Sequence, residues 1–404
     1  MRILFADALD TTHLERLREL GHDCVVEPDL SAGDLPDRIG GFEALVVRST
    51  RVEAATLEAA DRLEIVVRAG AGTNTIDTDA AAALGIYVCN VPGRNAIAVA
   101  ELTMGLILAL DRNIPDAVAD LRSGRWDKRR YGRATGLHGR ALGLVGVGSI
   151  GIEVAERAAA FGMRILVEDK PRTPEVDARL DELDAERLSS TDLLASADVV
   201  SLHVPLTPET RGMVNREFLA AMRDGAWLVN TARGELVDEA ALLEALDTRG
   251  FRAGLDVFPD EPSEPRCAWR SALAAHPRVY GTHHIGASTR QAQEAVAAGT
   301  VEVLLAFAEG EIRNCVNLET RRLGETILSV RHLDRVGVLS GVLDAIRRRN
   351  LNVQNMENRV FEGAIAAVAT LEVDGDVDDE LLAELEALPD VIAVTARPTK
   401  GGES

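Results

Sequence analysis

Three side chains of different chemistry stand just past three separate apolar runs. The run 227–229 leads into Asn230-Thr231-Ala232-Arg233-Gly234, the run 255–258 into Pro259-Asp260-Glu261-Pro262, and the run 278–280 into Gly281-Thr282-His283-His284-Ile285-Gly286. In an open α/β sheet, ligands sit beyond the carboxyl ends of the strands, so Arg233, Glu261 and His284 are expected to face one cleft. Together they suit hydride transfer between a 2-hydroxy acid and a nicotinamide, which must be matched by a proton transfer at the hydroxyl oxygen. Histidine is the side chain that exchanges a proton near neutrality. A glutamate on its other ring nitrogen fixes the tautomer and favours the imidazolium. An arginine grips a carboxylate bidentately and polarises the adjacent C–O group.

The cofactor has its own signature. Leu142-Gly143-Leu144-Val145-Gly146-Val147-Gly148-Ser149-Ile150-Gly151 places G-x-G-x-x-G between an apolar strand and the helical run 152–161. Gly146 permits the tight turn, Gly148 lets the backbone approach a pyrophosphate, and Gly151 lets helix and strand pack closely. The next strand, 163–167, ends in Glu168-Asp169, where an acid can accept hydrogen bonds from the adenosine ribose. A carboxylate there repels a 2′-phosphate, so NAD is favoured over NADP, with Lys170 and Arg172 close by.

The substrate side is read from Arg48 and Arg68, each closing an apolar strand, and from Gly70-Ala71-Gly72, which offers backbone N–H groups. They form an anion-binding wall suited to a small 2-hydroxy or 2-oxo acid, with or without a phosphate. Arg94 and the Arg129-Arg130 pair are further candidates for the phosphate.

The elements that must position these groups follow from the pattern of the chain. Short apolar runs at 2–6, 44–48, 64–68 and 86–89 alternate with helix-like stretches at 13–20, 54–60 and 78–84, which indicates βαβ units and a parallel sheet. A long apolar helix pattern covers 95–111. The polar stretch 122–139 that follows it is a place for the chain to cross between lobes. A second series begins at 141 and continues through 164–167, 198–203, 226–230, 253–258 and 278–281, one nucleotide-fold-sized unit. An Ala-rich helix over 289–310 could return the chain to the first lobe. After it, strands at 326–331, 353–360, 364–373 and 391–395 with helices at 338–349 and 378–388 give the order βαββαβ, a ferredoxin-like unit. The expected class is α/β: two doubly wound parallel-sheet lobes, one flavodoxin-like for substrate (1–95 with 290–318) and one Rossmann-like for NAD (96–289), then a regulatory domain (319–404). Hinge closure near Asn95 and Thr289 would expel water before hydride transfer.

Taken together, Val46 to Thr50, Arg68 to Gly72, Val145 to Gly151, Asn230 to Gly234, Leu255 to Pro262 and His284 to Thr289 resemble the D-isomer-specific 2-hydroxyacid dehydrogenases over nearly the whole chain. The resemblance implies that Arg233, Glu261 and His284 are catalytic, and that Ser149, Ile150, Asp169, Thr231, Ala232, Asp256, Gly286 and Ala287 line the cofactor site. Family members carry proline just before the catalytic histidine. Here His283 stands in that place, so two imidazoles compete, and His284 keeps the spacing to Gly286-Ala287. The segment 329–339 followed by Asn350-Leu351-Asn352-Val353 resembles an ACT domain, which implies an amino-acid effector, serine, contacted by His332 and Asn352. Val336 and Asp334 depart from the proline and asparagine usual there, and a pure dimerisation role is the alternative. The implied reaction is NAD-dependent oxidation of 3-phospho-D-glycerate to 3-phosphohydroxypyruvate, in a homodimer or homotetramer. Two alternatives are reduction of glyoxylate or hydroxypyruvate, and an NAD-sensing partner-binding protein without turnover.

Composition excludes other classes. The 404 residues hold 44 Lys and Arg against 65 Asp and Glu, a formal charge of −21, which repels nucleic acid and anionic membrane surfaces. No run approaches the roughly 20 apolar residues of a membrane span, and the N-terminal apolar run is too short for a secretory signal. The expected location is the cytoplasm. Cys24, Cys89, Cys267 and Cys315 show no ligand spacing, so neither disulfides nor a metal site is expected.

Overall fold

The computed structural model describes residues 1–262, 266–319 and 323–399. They form two compact units, Met1–Asn317 and Leu318–Ser404.

The first unit contains two parallel sheets. One has five strands, β1 (Arg2–Phe5), β2 (Asp23–Val26), β3 (Ala44–Val47), β4 (Ile65–Arg68) and β5 (Tyr87–Asn90), in the order β2-β1-β3-β4-β5. That is the flavodoxin-like order. The other has seven: β6 (Ala141–Val145), β7 (Arg164–Glu168), β8 (Glu186–Leu188), β9 (Val199–Leu202), β10 (Trp227–Asn230), β11 (Arg252–Leu255) and β12 (Val279–Gly281). Their order is β12-β11-β10-β9-β6-β7-β8. The sequence direction reverses between β6 and β9, and a ligand-binding crevice opens at such a switch point.

The strands read as continuous apolar runs because both faces of each sheet are covered. On the first sheet, Ile3, Phe5, Val46 and Val67 pack on one face against Val296, Val301 and Leu304, while Leu4, Leu45, Val66 and Val88 fill the other. The helix Arg290–Ala308 therefore belongs to the first sheet, although the whole second sheet precedes it in sequence. The helix Ala96–Arg112 belongs to the second: Ala100, Met104, Ile107 and Leu110 share a core with Leu142, Leu144, Ile152 and Val229. The chain thus changes sheets between β5 and Ala96. The stretch 122–139, expected to make that crossing, instead folds locally: Asp120 accepts from Arg125 Nε (3.0 Å), Arg130 Nη1 (3.3 Å) and the Tyr131 hydroxyl (2.7 Å).

The second unit is an antiparallel sheet of β13 (Thr326–Leu333), β14 (Val353–Val360), β15 (Ala366–Val373) and β16 (Val391–Pro398), ordered β14-β15-β13-β16. The helices Val338–Arg348 and Asp379–Glu386 lie on one face, where Val342, Ile346, Leu381 and Leu385 meet Leu328, Val330 and Leu371.

Candidate active site

The glycine-rich loop joins β6 to the helix Ser149–Ala160. Gly146 has φ +95°, and a Cβ there would come within 2.7 Å of the His203 carbonyl, so only glycine fits without strain. A Cβ on Gly151 would strike the Gly146 carbonyl oxygen, which is the close packing expected of the third glycine. Gly148 differs: nothing lies within 4 Å of its Cβ position, leaving open space at the helix start. The first-turn N–H groups of Ser149–Ala160 border that space, with Ile150 half-buried beside it. At the end of β7, the Glu168 carboxylate is engaged by Lys170 (2.8 Å) and the Ser190 hydroxyl, and Arg172 bonds the Glu168 carbonyl. Asp169 is exposed, and its carboxylate has no hydrogen bond or ion pair among the described residues, so it is available to a ribose. These residues fit a dinucleotide.

Beyond β10, β11 and β12 the three expected side chains converge. His284 Nδ1 lies 2.6 Å from Glu261 Oε2, and Glu261 Oε1 accepts from the Phe258 N–H at 2.8 Å. His283 is exposed and has no hydrogen bond among the described residues, so of the two imidazoles only His284 reaches the acid. His284 sits at φ +53°, a backbone conformation that costs a non-glycine residue energy. The cost is met by Asp256: its carbonyl accepts from His284 N–H (2.8 Å), and its carboxylate accepts from Ile285 N–H (2.9 Å), Gly286 N–H (2.8 Å) and the Thr282 hydroxyl (2.6 Å). Asp256, expected to line the cofactor site, is 1% exposed and spends both carboxylate oxygens on the loop that carries His284. Thr231 is likewise buried, its hydroxyl 2.9 Å from that of Thr103. Ala232 and Ala287 are half-buried.

Arg233 extends from its loop toward the first sheet. Its carbonyl is held by the Asn230 amide (2.8 Å), its Nη1 donates to the Ala232 carbonyl (2.6 Å), and its Nη2 fills the place a Cβ on Gly72 would take. Gly72 is therefore glycine because a guanidinium from the other sheet lies on it. Arg68 does the same to Gly70, which has φ +147°. Burial, then Arg233 and Arg48, push the Arg68 guanidinium down to about 10, Asp7 opposing them. Burial also lowers Arg233, against Glu235 and Glu261. Crowded cations with few acids are an environment an anion relieves.

Three contributors escaped the reading of the sequence. Asp7, just past β1, accepts from the N–H groups of Arg48 (2.7 Å), Ser49 (3.2 Å) and Thr50 (3.1 Å) and from the Ser49 hydroxyl (2.7 Å), fixing the loop that bears Arg48. Asn90, ending β5, donates to the Ala71 carbonyl at 2.6 Å, and Val91 N–H to Gly70 at 2.9 Å. His203, just past β9 under the glycine loop, bonds Ser201 at 2.9 Å while its Nδ1 is unpartnered; burial holds its imidazole down to about 4. Asp7 and His203 follow an apolar strand and Asn90 closes one, which was the available signal. Two phosphate candidates are committed elsewhere: Arg94 pairs with Glu302 (2.6 Å) and Arg130 with Asp116 (3.3 Å). Arg129 is exposed.

In the second unit, His332 is 2% exposed, with Nδ1 2.7 Å from the Leu333 carbonyl and Nε2 3.1 Å from Asn358 Oδ1; Asn352 is exposed. No cluster of His, Cys, Asp or Glu able to hold a metal ion occurs among the described residues. Among them, too, no helix is long and apolar enough to cross a membrane.

Comparison with known proteins identifies the family. Residues 104–286 match the D-isomer specific 2-hydroxyacid dehydrogenase, NAD binding domain, and residues 326–390 match the ACT domain. The chain is 40% identical to a D-3-phosphoglycerate dehydrogenase of Methanocaldococcus jannaschii over 332 residues, 80% of this chain and 62% of that protein. It is 40% identical to the Bacillus subtilis enzyme of the same name, over 78% of this chain and 59% of that one. The match thus spans about three-fifths of these two relatives. A hydroxypyruvate reductase of Thermotoga maritima is 43% identical over 74% of this chain and 96% of its own length. A solved Thermus thermophilus protein, 40% identical, superposes with a TM-score of 0.69 over 78% of this chain and 100% of its own. With the glycine cradle, the imidazole–carboxylate pair and the facing guanidiniums in place, the chain belongs to the D-isomer specific 2-hydroxyacid dehydrogenase family, with NAD as its cofactor and an ACT domain at its C-terminal end.

Proposed function

We propose that the chain oxidises 3-phospho-D-glycerate to 3-phosphohydroxypyruvate with NAD, the first step of serine synthesis. One juxtaposition carries the reading: an imidazole backed by a carboxylate at 2.6 Å, on the same strand-end edge as an arginine that reaches Arg68 and Gly72 of the other sheet. When bound, NAD supplies the hydride acceptor. His284 takes the hydroxyl proton at Nε2, while Glu261 holds Nδ1 and balances the imidazolium. Arg233 binds the substrate carboxylate and polarises the reacting C–O bond. Arg48, Arg68 and the N–H groups of Gly70, Ala71 and Gly72 hold the remaining negative charge. Gly146, Gly148, Ser149, Ile150 and Gly151 hold the pyrophosphate, and Asp169 the ribose. Thr231, Ala232, Asp256, Gly286 and Ala287 support the nicotinamide end, Asp256 by shaping the 282–286 loop.

The lobe 1–95 with 290–318 is assigned to substrate, 96–289 to NAD and 319–404 to regulation. The ACT domain is assigned an amino-acid effector, serine, with the exposed Asn352 as its contact and the buried His332 as support for the surrounding backbone. A cytoplasmic homodimer or homotetramer completes the reading.

A second reading, reduction of hydroxypyruvate, is favoured by the nearly full-length likeness to the Thermotoga maritima protein. NAD reduction is measured with 3-phosphoglycerate, and NADH oxidation with glyoxylate, hydroxypyruvate and other 2-oxo acids. A kcat/KM for 3-phosphoglycerate tenfold below that for an unphosphorylated acid would select the second reading. Inactivity on every acid would reject both.

A further inference from the structure

Two cysteines unused by this chemistry face each other beside the anion-binding loop. Cys89 lies in β5, and Cys315 lies in the segment after the helix Arg290–Ala308, bridged antiparallel to it. The flanking hydrogen bonds run from Val316 N–H to the Val88 carbonyl (2.8 Å) and from Asn90 N–H to the Asn314 carbonyl (3.1 Å). Cys89 and Cys315 therefore occupy a non-hydrogen-bonded antiparallel pair, in which the Cα atoms approach to about 4.5 Å and the side chains are closest. Disulfides span Cα separations of about 4.4–6.8 Å. Both thiols are free. Asn317 clamps the segment in register, accepting from Val88 N–H (2.8 Å) and donating to the Ile86 carbonyl (2.8 Å).

We propose that Cys89 and Cys315 form a reversible disulfide under hydroperoxide, and that this bond loosens the Gly70-Ala71-Gly72 loop. Cys315 is half-buried and its thiol donates to Asn317 Oδ1 at 3.1 Å, whereas Cys89 is fully buried. Burial and the Cys315 thiol push Cys89 up to about 12, so it is a poor first nucleophile. The order follows. Cys315 sulfur attacks the peroxide, forming an S–O bond as O–O breaks, and the leaving hydroxide takes the Cys315 proton as water. Cys89 sulfur then attacks Cys315 sulfur; S–S forms, S–O breaks, and the departing hydroxide carries off the Cys89 proton as water. Two thiols lose two electrons, and one hydrogen peroxide becomes two waters.

The consequence reaches the site through one residue. Asn90 follows Cys89 and donates to Ala71 at 2.6 Å. The pair's Cα separation of about 4.5 Å is at the short end of the disulfide range, so closing S–S spreads β5 from the 314–316 segment and pulls that amide from its acceptor; loss of one such bond corresponds to about a fivefold weaker grip on the substrate anion. This functional half rests on the proposed reading of the loop; the cross-link itself does not.

The test treats the full-length protein with hydrogen peroxide, blocks remaining thiols, and maps peptides by mass spectrometry alongside steady-state kinetics. The expected product is a Cys89–Cys315 cross-linked peptide, lighter by two hydrogens and restored by dithiothreitol. KM for 3-phosphoglycerate should rise about fivefold with kcat held. Cys315→Ser and Cys89→Ala should each abolish the cross-link and the KM change while keeping the untreated activity. Cys315 found only as sulfinate or sulfonate would overturn the proposal, and a cross-link without a KM change would overturn its functional half. Because peptide mapping needs no turnover, a protein inactive on every acid would reject the assigned reaction without touching the cross-link.

Discussion

Replacing Glu261 with Gln tests the catalytic geometry through hydrogen-bond arithmetic. The carboxylate serves two donors, the Phe258 N–H on Oε1 at 2.8 Å and His284 Nδ1 on Oε2 at 2.6 Å, and a carboxamide has only one acceptor oxygen. If that oxygen keeps Phe258, the amide nitrogen donates to Nδ1 and drives the ring proton to Nε2, the atom that must be bare to accept the hydroxyl proton. If the amide flips, its NH2 opposes the Phe258 N–H, and the unmade bond costs about 1–3 kcal/mol. Losing the ion pair adds about 1 kcal/mol at most, because the side chains are 50% and 30% exposed and solvent screens them. The sum, about 2–4 kcal/mol, corresponds to a kcat roughly 30- to 1,000-fold lower. KM for the acid should change less than about threefold, since Arg233 and Arg68 are untouched. Glu261→Ala leaves the ring free to choose its tautomer, so it should be no worse than Glu261→Gln. Steady-state NAD reduction by the three proteins decides it. A Glu261→Gln enzyme within about fivefold of the parent kcat would refute the tautomer argument.

The glycine loop yields a contrast: Gly146→Ala should cost about 1–3 kcal/mol of stability through its φ and its clash with His203, read as a lower Tm. Gly148→Ala should leave Tm unchanged and weaken NAD at least about tenfold by calorimetry, since its methyl enters only the space reserved for the ligand. His203, held down to about 4 against an ordinary value of 6.5, takes up a proton on unfolding between those pH values. Stability should therefore rise with pH across that window by up to about 3 kcal/mol, and urea titrations of His203→Gln should show a flatter profile. Serine titrated into the protein should give a binding isotherm that Asn352→Ala weakens; no heat at millimolar serine would leave the ACT domain without that effector.

Much of the fold was legible because strands covered on both faces must be uniformly apolar. Ala-Leu-Val-Val in β3 and Ile-Val-Val-Arg in β4 could scarcely be read otherwise. Edge and near-edge elements lack that constraint, and there the reading failed: β2 begins at Asp23, and β8 is only Glu-Arg-Leu, exposed or half-exposed throughout. The helix Ile114–Arg122 was missed because the charges of 122–139 suggested a connector, whereas two of them, Arg125 and Arg130, fold back onto Asp116 and Asp120 of that helix. In the site, residue type and strand-end position identified Arg233, Glu261 and His284, but not which acids face the ligand. Asp256 and Glu261 both follow β11; a buried turn consumes the first and leaves the second for the imidazole. His332, expected as an effector contact, instead continues the buried period-two row of Leu328 and Val330 along β13, a pattern that expectation did not use.

The late arrival of the helix Arg290–Ala308 bears on biosynthesis. Until it leaves the ribosome, the face of the first sheet carrying Ile3, Phe5, Val46 and Val67 is covered only in part, by Leu14 and Leu17 of the helix Thr11–Glu19, and the intervening roughly 200 residues take on the order of 10–40 s to translate. The nascent chain must carry the rest of that apolar surface exposed through the interval. Cutting the gene ahead of residue 290 and moving the 3′ portion to the front should shorten the exposure and raise the yield of folded first sheet.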